Sequence, residues 1–270
     1  MRLRSILVLL LAIGSAPAAR GQGSESFAGT LPIVGSVHGN FGSNFKTTVQ
    51  LTNPFGEPMT GRLVFTPMGV AARTDSIPWE LGPHGTNFWG DIANSLGGGL
   101  GSLDVWFDGT PIDVCSLKPY SGGPVVSARI YNDAGDAGTT GCNEDLVTSV
   151  PGGGALALVR GVLLGPPSMD RYRFNVGLRT FEEDVGFPTV PVIITVYNPH
   201  GIVVHTLTRE YPGNYFSQMD VTEFLDGFEI GDNYWIELQT LARIVVYGAT
   251  VDNVTNSPTI QIMAYVDVSG

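Results

Sequence analysis

Four carboxylates crowd the segment YNDAGDAGTTGCNED: Asp133, Asp136, Glu144 and Asp145. Calcium takes several oxygen ligands from loops of this composition, so these four are the candidate metal ligands and calcium is the one cofactor they point to. Their spacing departs from the EF-hand loop, and a plain solvated acidic loop competes with that reading. Cys142 lies in the same segment and Cys115 upstream of it. In an oxidising compartment two cysteines most simply form one disulfide, worth about 3 kcal/mol in the chain-entropy picture, and it would stiffen the acidic loop.

A second chemistry is aromatic stacking. In GSLDVWFDG, Leu103, Val105 and Phe107 alternate with Asp104, Trp106 and Asp108; in DNYWIELQT, Tyr234, Ile236 and Leu238 alternate with Trp235, Glu237 and Gln239. Each tryptophan therefore stands on the polar face of a strand, and the two are 129 positions apart. A Trp flanked by carboxylates suits a sugar-stacking platform. The rival readings are a protein-contact patch and a structural anchor packed under a loop or a neighbouring domain, and the anchor is the reading adopted.

Other catalytic signals are missing. No serine has glycine at both i−2 and i+2, the arrangement of a nucleophile elbow. The glycines of LGGGLGSL fit neither dinucleotide nor phosphate-loop spacing. His38, His84, His200 and His205 lack metal-ligand spacing. Glu182, Glu183 and Asp184 are neighbours, whereas a glycosidase needs two carboxyls facing one another across roughly 5–10 Å. No catalytic residue is assigned, and the chain is expected not to be an enzyme.

The elements that must position these groups are short strands. Phe45, Thr47, Val49 and Leu51 alternate with polar neighbours, as do Val126, Ala128 and Ile130, and later Ile260, Ile262, Ala264, Val266 and Val268. Turn clusters such as NPFGEP, GPHG, NPHG and YPGN separate such runs. One-turn helices are expected at Asp91–Leu96 and Asp220–Leu225, each opened by a capping Asp. Much of the chain repeats: FKTTVQLTNP at Phe45 aligns with FNVGLRTFEE at Phe174 at an offset of 129, and VFTPMG at Val64 aligns with VYNPHG at Val196 at an offset of 132. An offset of 121 between Asn132 and Asn253 places an eight-residue insertion, which carries Cys115, in the first copy. The fold class is therefore all-β, as two tandem Ig-like β-sandwich domains from an internal duplication, at 25–148 and 155–270. NEDLVTSVPGGG is the joint, and residues 155–164 can close the first domain or open the second.

Residues 1–18 read as a signal peptide: Arg2 and Arg4, an eight-residue apolar run too short to span a bilayer, then Ala16-Pro17-Ala18, with cleavage after Ala18 or after Ala19. Cleavage after Ala18 leaves 252 residues and moves the net charge from −11 to −13 by removing two arginines. That balance disfavours nucleic acid and anionic membrane, and no anchor is visible at the C-terminus.

The stretches LPIVGSVHGNFGSNFKTTVQLTNP, LGSLDVWFDG and VVSARIYN, with RFNVGLRT and VYNPHG later, resemble a diffuse group of secreted bacterial tandem β-sandwich proteins of unassigned function. The resemblance implies fold and an extracellular or surface location, brings no catalytic residues, and breaks at the Cys115 insertion. The expectation is a non-catalytic secreted protein, periplasmic or extracellular, with a structural, adhesive or envelope-accessory role. The alternative is a carbohydrate-binding module that uses Trp106 and Trp235. The expected partners are an extracellular protein or a glycan, with self-association through sheet edges also open.

Overall fold

The computed structural model describes residues 25–71, 75–109, 122–148, 158–181 and 189–266. The expected signal peptide, Cys115, the glycine-rich joint from 149 onward and Glu182–Asp184 lie outside them. The chain is all-β. The N-terminal half runs β1 (Glu25–His38), β2 (Asn44–Thr52), β3 (Met59–Pro67), β4 (Asp75–Leu81), β5 (Thr86–Trp89), α1 (Ile92–Ser95), β6 (Gly99–Asp108), β7 (Val125–Asp133) and β8 (Thr139–Glu144). The C-terminal half runs β9 (Val159–Leu164), β10 (Tyr172–Thr180), β11 (Thr189–Tyr197), β12 (Val203–Pro212), β13 (Tyr215–Asp220), α2 (Val221–Phe224), β14 (Trp235–Thr240), β15 (Ile244–Asp252), β16 (Pro258–Ile262) and β17 (Ala264–Tyr265).

Every ladder between these strands is antiparallel. In the N-terminal half β6 pairs with β1 and β3, β3 with β4, β2 with β5 and β7, and β7 with β8. The same pairings recur as β14 with β9 and β11, β11 with β12, β10 with β13 and β15, and β15 with β16. The hairpin β3–β4 lies on one layer while its sequence neighbours β2 and β5 pair on the other, a Greek-key crossing. The halves differ in β17, which pairs with β9 and has no counterpart strand among the described N-terminal residues, and in β1. β1 continues for 14 residues through two register shifts and pairs its end, Ser36–His38, with β2. Bulges bend strands, and this bend joins the N-terminal layers into one eight-stranded sheet, whereas the C-terminal half keeps two sheets, β13-β10-β15-β16 and β12-β11-β14-β9-β17.

Both halves fill their layers as the alternation demands. Leu103, Val105 and Phe107 join Leu31, Val49, Leu51, Leu63 and Phe65 in one core, and Ile236 and Leu238 join Phe174, Val176, Leu178, Val192 and Ile194 in another. The expected helices form as single turns, with Asp91 accepting from Asn94 N at 3.2 Å and Asp220 from Thr222 N at 2.9 Å. The run expected from Ile260 to Val268 is not one strand. Met263 turns inward, buried beside Gly161, and the chain changes sheet there: β16 pairs with β15 and β17 with β9.

The two halves are packed face to face. The inner face of β13-β10-β15-β16 covers the C-terminal core, and its outer face carries Phe216, Tyr247 and Ala249 onto Ile33 and Ile130 of the N-terminal half. Tyr247 lies flat across β10 only because position 177 is glycine, where a Cβ would sit 2.0 Å from the ring; its hydroxyl donates to Gln218 Oε1 at 2.6 Å. Met68 forms an isolated parallel bridge to Phe216, and Gly69 N donates to the Phe216 carbonyl at 2.9 Å. Within this seam Arg179 Nη2 meets Asp104 Oδ2 at 3.3 Å, both side chains buried, and also donates to Asn214 Oδ1 at 2.7 Å. Burial raises the Asp104 pKa more than the arginine lowers it.

Removing one member of a buried pair leaves an uncompensated charge, which costs about 3–5 kcal/mol. Arg179→Met is expected to lower the urea-unfolding free energy by about that amount at pH 7, while Asp104→Leu/Arg179→Met recovers most of it. Equal midpoints for wild type and Arg179→Met would contradict this account of the seam.

Candidate functional site

The two tryptophans stand on corresponding strands, yet in different surroundings. Trp106 on β6 lies opposite Phe27 and Arg62. Its ring has Phe27 at 5.2 Å and the Arg62 guanidinium at 5.7 Å, and Arg62 is itself gripped by both Glu25 oxygens at 2.7 Å. Trp235 on β14 lies opposite Tyr197 and Leu164. Its ring is parallel to Tyr197 with centroids 3.8 Å apart, a separation close to ring-plane contact, so each covers one face of the other. The tryptophans are half-buried, lie in different sheets and form no shared platform. Their flanking carboxylates are also engaged. Asp104 is sealed in the seam, Asp108 accepts from Thr60 at 2.6 Å, and Glu237 pairs with Arg160 at 2.5 Å.

The acidic segment folds as the β7–β8 hairpin, and this scatters the expected calcium ligands. Asp133 pairs with Lys46 at 2.7 Å and accepts from Gly135 N, so its pKa is held low; Asp136 and Asp145 are exposed. Glu144 lies opposite Ala128, five residues from Asp133 along β7, or about 17 Å at strand rise. One cation cannot join carboxylates so far apart. Among the described residues no three His, Cys, Asp or Glu gather to hold a metal. Cys142 is a free, half-buried thiol in this structure, its pKa raised by burial, and its expected partner Cys115 is outside the described residues.

Glu144 points inward. Its Oε1 accepts from Ile33 N at 2.7 Å, Oε2 has no partner among the described residues, and burial pushes its pKa up to about 8. This acid lies beside the seam, since its charge is felt by Tyr247.

Above the seam the two halves diverge and leave a cleft of about 640 Å³. Its walls follow from register. On the outer face of the C-terminal sheet, Asp220 lies opposite Asn175, which lies opposite Ala249, which lies opposite Ile260. Two residues along one strand are Gln218, and along the others Arg173 and Val251. One side of the cleft is thus polar, from β10 and β13, and the other apolar, from β15 and β16. The N-terminal half closes it with the β1–β2 turn, where Phe41 is 71% exposed at φ 56°. Arg173 lies over the Phe41 ring at 5.3 Å and donates to Asn253 Oδ1 at 3.2 Å and Asn256 Oδ1 at 2.9 Å. Burial lowers the Arg173 pKa. Asn256 Nδ2 also donates to the Phe41 carbonyl at 3.2 Å, tying the turn across the opening.

His38 lines this cleft. His84 and His200 sit in exposed turns, and His205 stacks on Phe228 at 4.6 Å. Sequence reasoning missed the cleft residues because Arg173, Asn175 and Gln218 alternate with apolar neighbours as any solvent-facing side chain does. The unusual positive φ at Phe41 had no signal in its residue type.

No family model matches the chain, and no curated relative does. One solved structure, the Bacteroides uniformis beta-glucuronidase 2 covalently bound to cyclophellitol-6-carboxylate aziridine, is similar over 82% of this chain at 13% identity with a TM-score of 0.16. This chain spans 24% of that enzyme's length, and so slight a likeness carries no argument. Among the described residues no helix is long and apolar enough to cross a membrane.

The buried acid makes a pH prediction. Glu144 ionises near 4.5 when unfolded and near 8 when folded. Below pH 4.5 both states are protonated and the group costs nothing. As pH rises from 4.5 to about 8 only the unfolded state loses its proton, so stability falls by up to about 1.4 kcal/mol per pH unit. Glu144→Gln is expected to flatten this decline, which urea midpoints at pH 5 and pH 8 will measure; an unchanged slope would show that Glu144 is not buried as described.

Proposed function

We propose that this chain is a non-catalytic secreted protein with an adhesive, scaffolding or envelope-accessory role outside the cytoplasm, and that the cleft between its halves is its binding face. The observation that carries this reading is the lining of the cleft: a sheet floor on which Asp220 is the single carboxylate among the described residues. Hydrolysis of a glycosidic bond needs two. The recurrence of one pairing scheme in both halves supports descent from a duplicated immunoglobulin-like sandwich. The basic, apolar and small-residue order of residues 1–18 supports export, and with it a Cys115–Cys142 disulfide in the mature protein.

The test is expression of the full chain in a diderm bacterium with recovery of periplasm and medium. The mature protein is expected there with Ala19 or Arg20 at its N-terminus. Added back to intact cells and polysaccharide, it should be retained without releasing reducing ends. Cytoplasmic retention with an intact N-terminus, or turnover abolished by Asp220→Asn, would overturn the proposal.

A further inference from the structure

We propose that the cleft takes a neutral oligosaccharide, held edge-on by β10 and β13 side chains and lying against the aliphatic strip of β15 and β16. The inference rests on the reading of the cleft as a binding face and names the ligand class for it. The polar side mixes functions: Asn175 offers a donor and an acceptor, Gln218 donates through Nε2, Asp220 accepts, and Arg173 donates. An anion calls for donors and a cation for acceptors, whereas a sugar hydroxyl both donates and accepts and so suits a mixed set. The charges in the cleft balance, while the chain as a whole carries −11, a field that repels acidic glycans and anionic lipids.

The apolar side answers the other half of a sugar's surface. Ala249, Val251 and Ile260 form an aliphatic strip beside the polar groups on the same sheet face, and a pyranose ring presents C–H bonds on its faces and hydroxyls on its edges. An acyl chain filling the same space would strip water from the amides and return no hydrogen bonds, leaving their donors and acceptors unpaired. Gln218 accepts from the Tyr247 hydroxyl, which fixes its amide and leaves Nε2 to donate. Asn175 has no side-chain hydrogen bond among the described residues. At the mouth, Arg173 covers one face of Phe41 and the other faces outward. A non-glycine residue in the left-handed region is strained and is held there by its surroundings; such strain clusters at ligand clamps. The volume falls within the range of about 300–1,000 Å³ typical of ligand sites, enough for a short oligosaccharide.

Calorimetric titration of the mature chain with cellohexaose, maltohexaose, laminarihexaose and chitohexaose at millimolar concentration tests this. At least one is expected to bind saturably, with affinity reduced about tenfold or more by Asn175→Ala and by Phe41→Ala, about 1.4 kcal/mol each. Trp235→Ala should leave it unchanged. Unaltered urea midpoints in the variants exclude unfolding as the cause. Absence of binding to all four, or binding lost in Trp235→Ala and kept in both cleft variants, overturns the proposal. So does tight binding of the amphipathic, anionic dye anilinonaphthalenesulfonate, displaceable by none of the sugars. Each of these leaves the extracellular, non-catalytic reading standing, since that reading fails only by cytoplasmic retention or turnover.

Discussion

A four-stranded sheet buried on both faces imposes the main constraint on this molecule. The inner face of β13-β10-β15-β16 must meet the C-terminal core, and its outer face carries Phe216, Tyr247 and Ala249, which cannot be left in water without losing about 1.5–3 kcal/mol for each large side chain. The N-terminal half supplies the cover with Ile33 and Ile130. β1 is long and bent because it serves twice, closing its own core and bringing Ile33 to the seam. The cover stops where the sheets diverge under the β1–β2 turn, and the remaining rows of the same outer face become the cleft. The cleft is thus the part of an interface that its partner does not reach.

The seam is not purely apolar, and its polar members cost stability as well as giving specificity. Asp104 and Arg179 pair across it through Oδ2 and Nη2, with Asn214 sharing the guanidinium, while Asp104 Oδ1 and Arg179 Nε find no hydrogen-bond partner among the described residues. Such a pair is weak evidence for net stability, yet it fixes how the halves register, because any other alignment leaves two buried charges unpaired. Glu144 has no cation beside it among the described residues. Its one hydrogen bond, from Ile33, holds the carboxyl in place, and its neutral form is the one the seam tolerates. Glu144 therefore weakens the fold as pH rises from 4.5 to about 8, with the sign set by its raised carboxyl pKa.

Much of the architecture is legible in the sequence, because alternation and turn chemistry act locally. Val49 and Leu51 face the core as the period of two requires, Asp91 and Asp220 cap the short helices, and the odd placement of Trp106 and Trp235 marks corresponding strands. What is not legible depends on contacts far apart in the chain. Nothing in ESFAGTLPIVGSVH announces that β1 crosses between layers, and Met263 reverses its face because Gly161 leaves it room. Asp104 and Glu144 read as solvent-facing because a polar residue on an alternating strand usually is, and only a second sheet laid over them makes them interior. The calcium set fails to assemble for a related reason: a hairpin spreads along its length residues that lie close in a loop. The offset of 132 between VFTPMG and VYNPHG likewise pairs similar turns without aligning their ladders, since Trp106 faces Arg62 while Trp235 faces Tyr197.

The claim on which the rest stands is that the two halves form one cooperative body. Scanning calorimetry of the mature chain tests it directly. A shared, buried seam predicts one reversible transition whose calorimetric and van't Hoff enthalpies agree. Two resolved transitions, or a calorimetric enthalpy about twice the van't Hoff value, would mean that the halves unfold independently, and neither the seam nor the cleft beside it could then be as described.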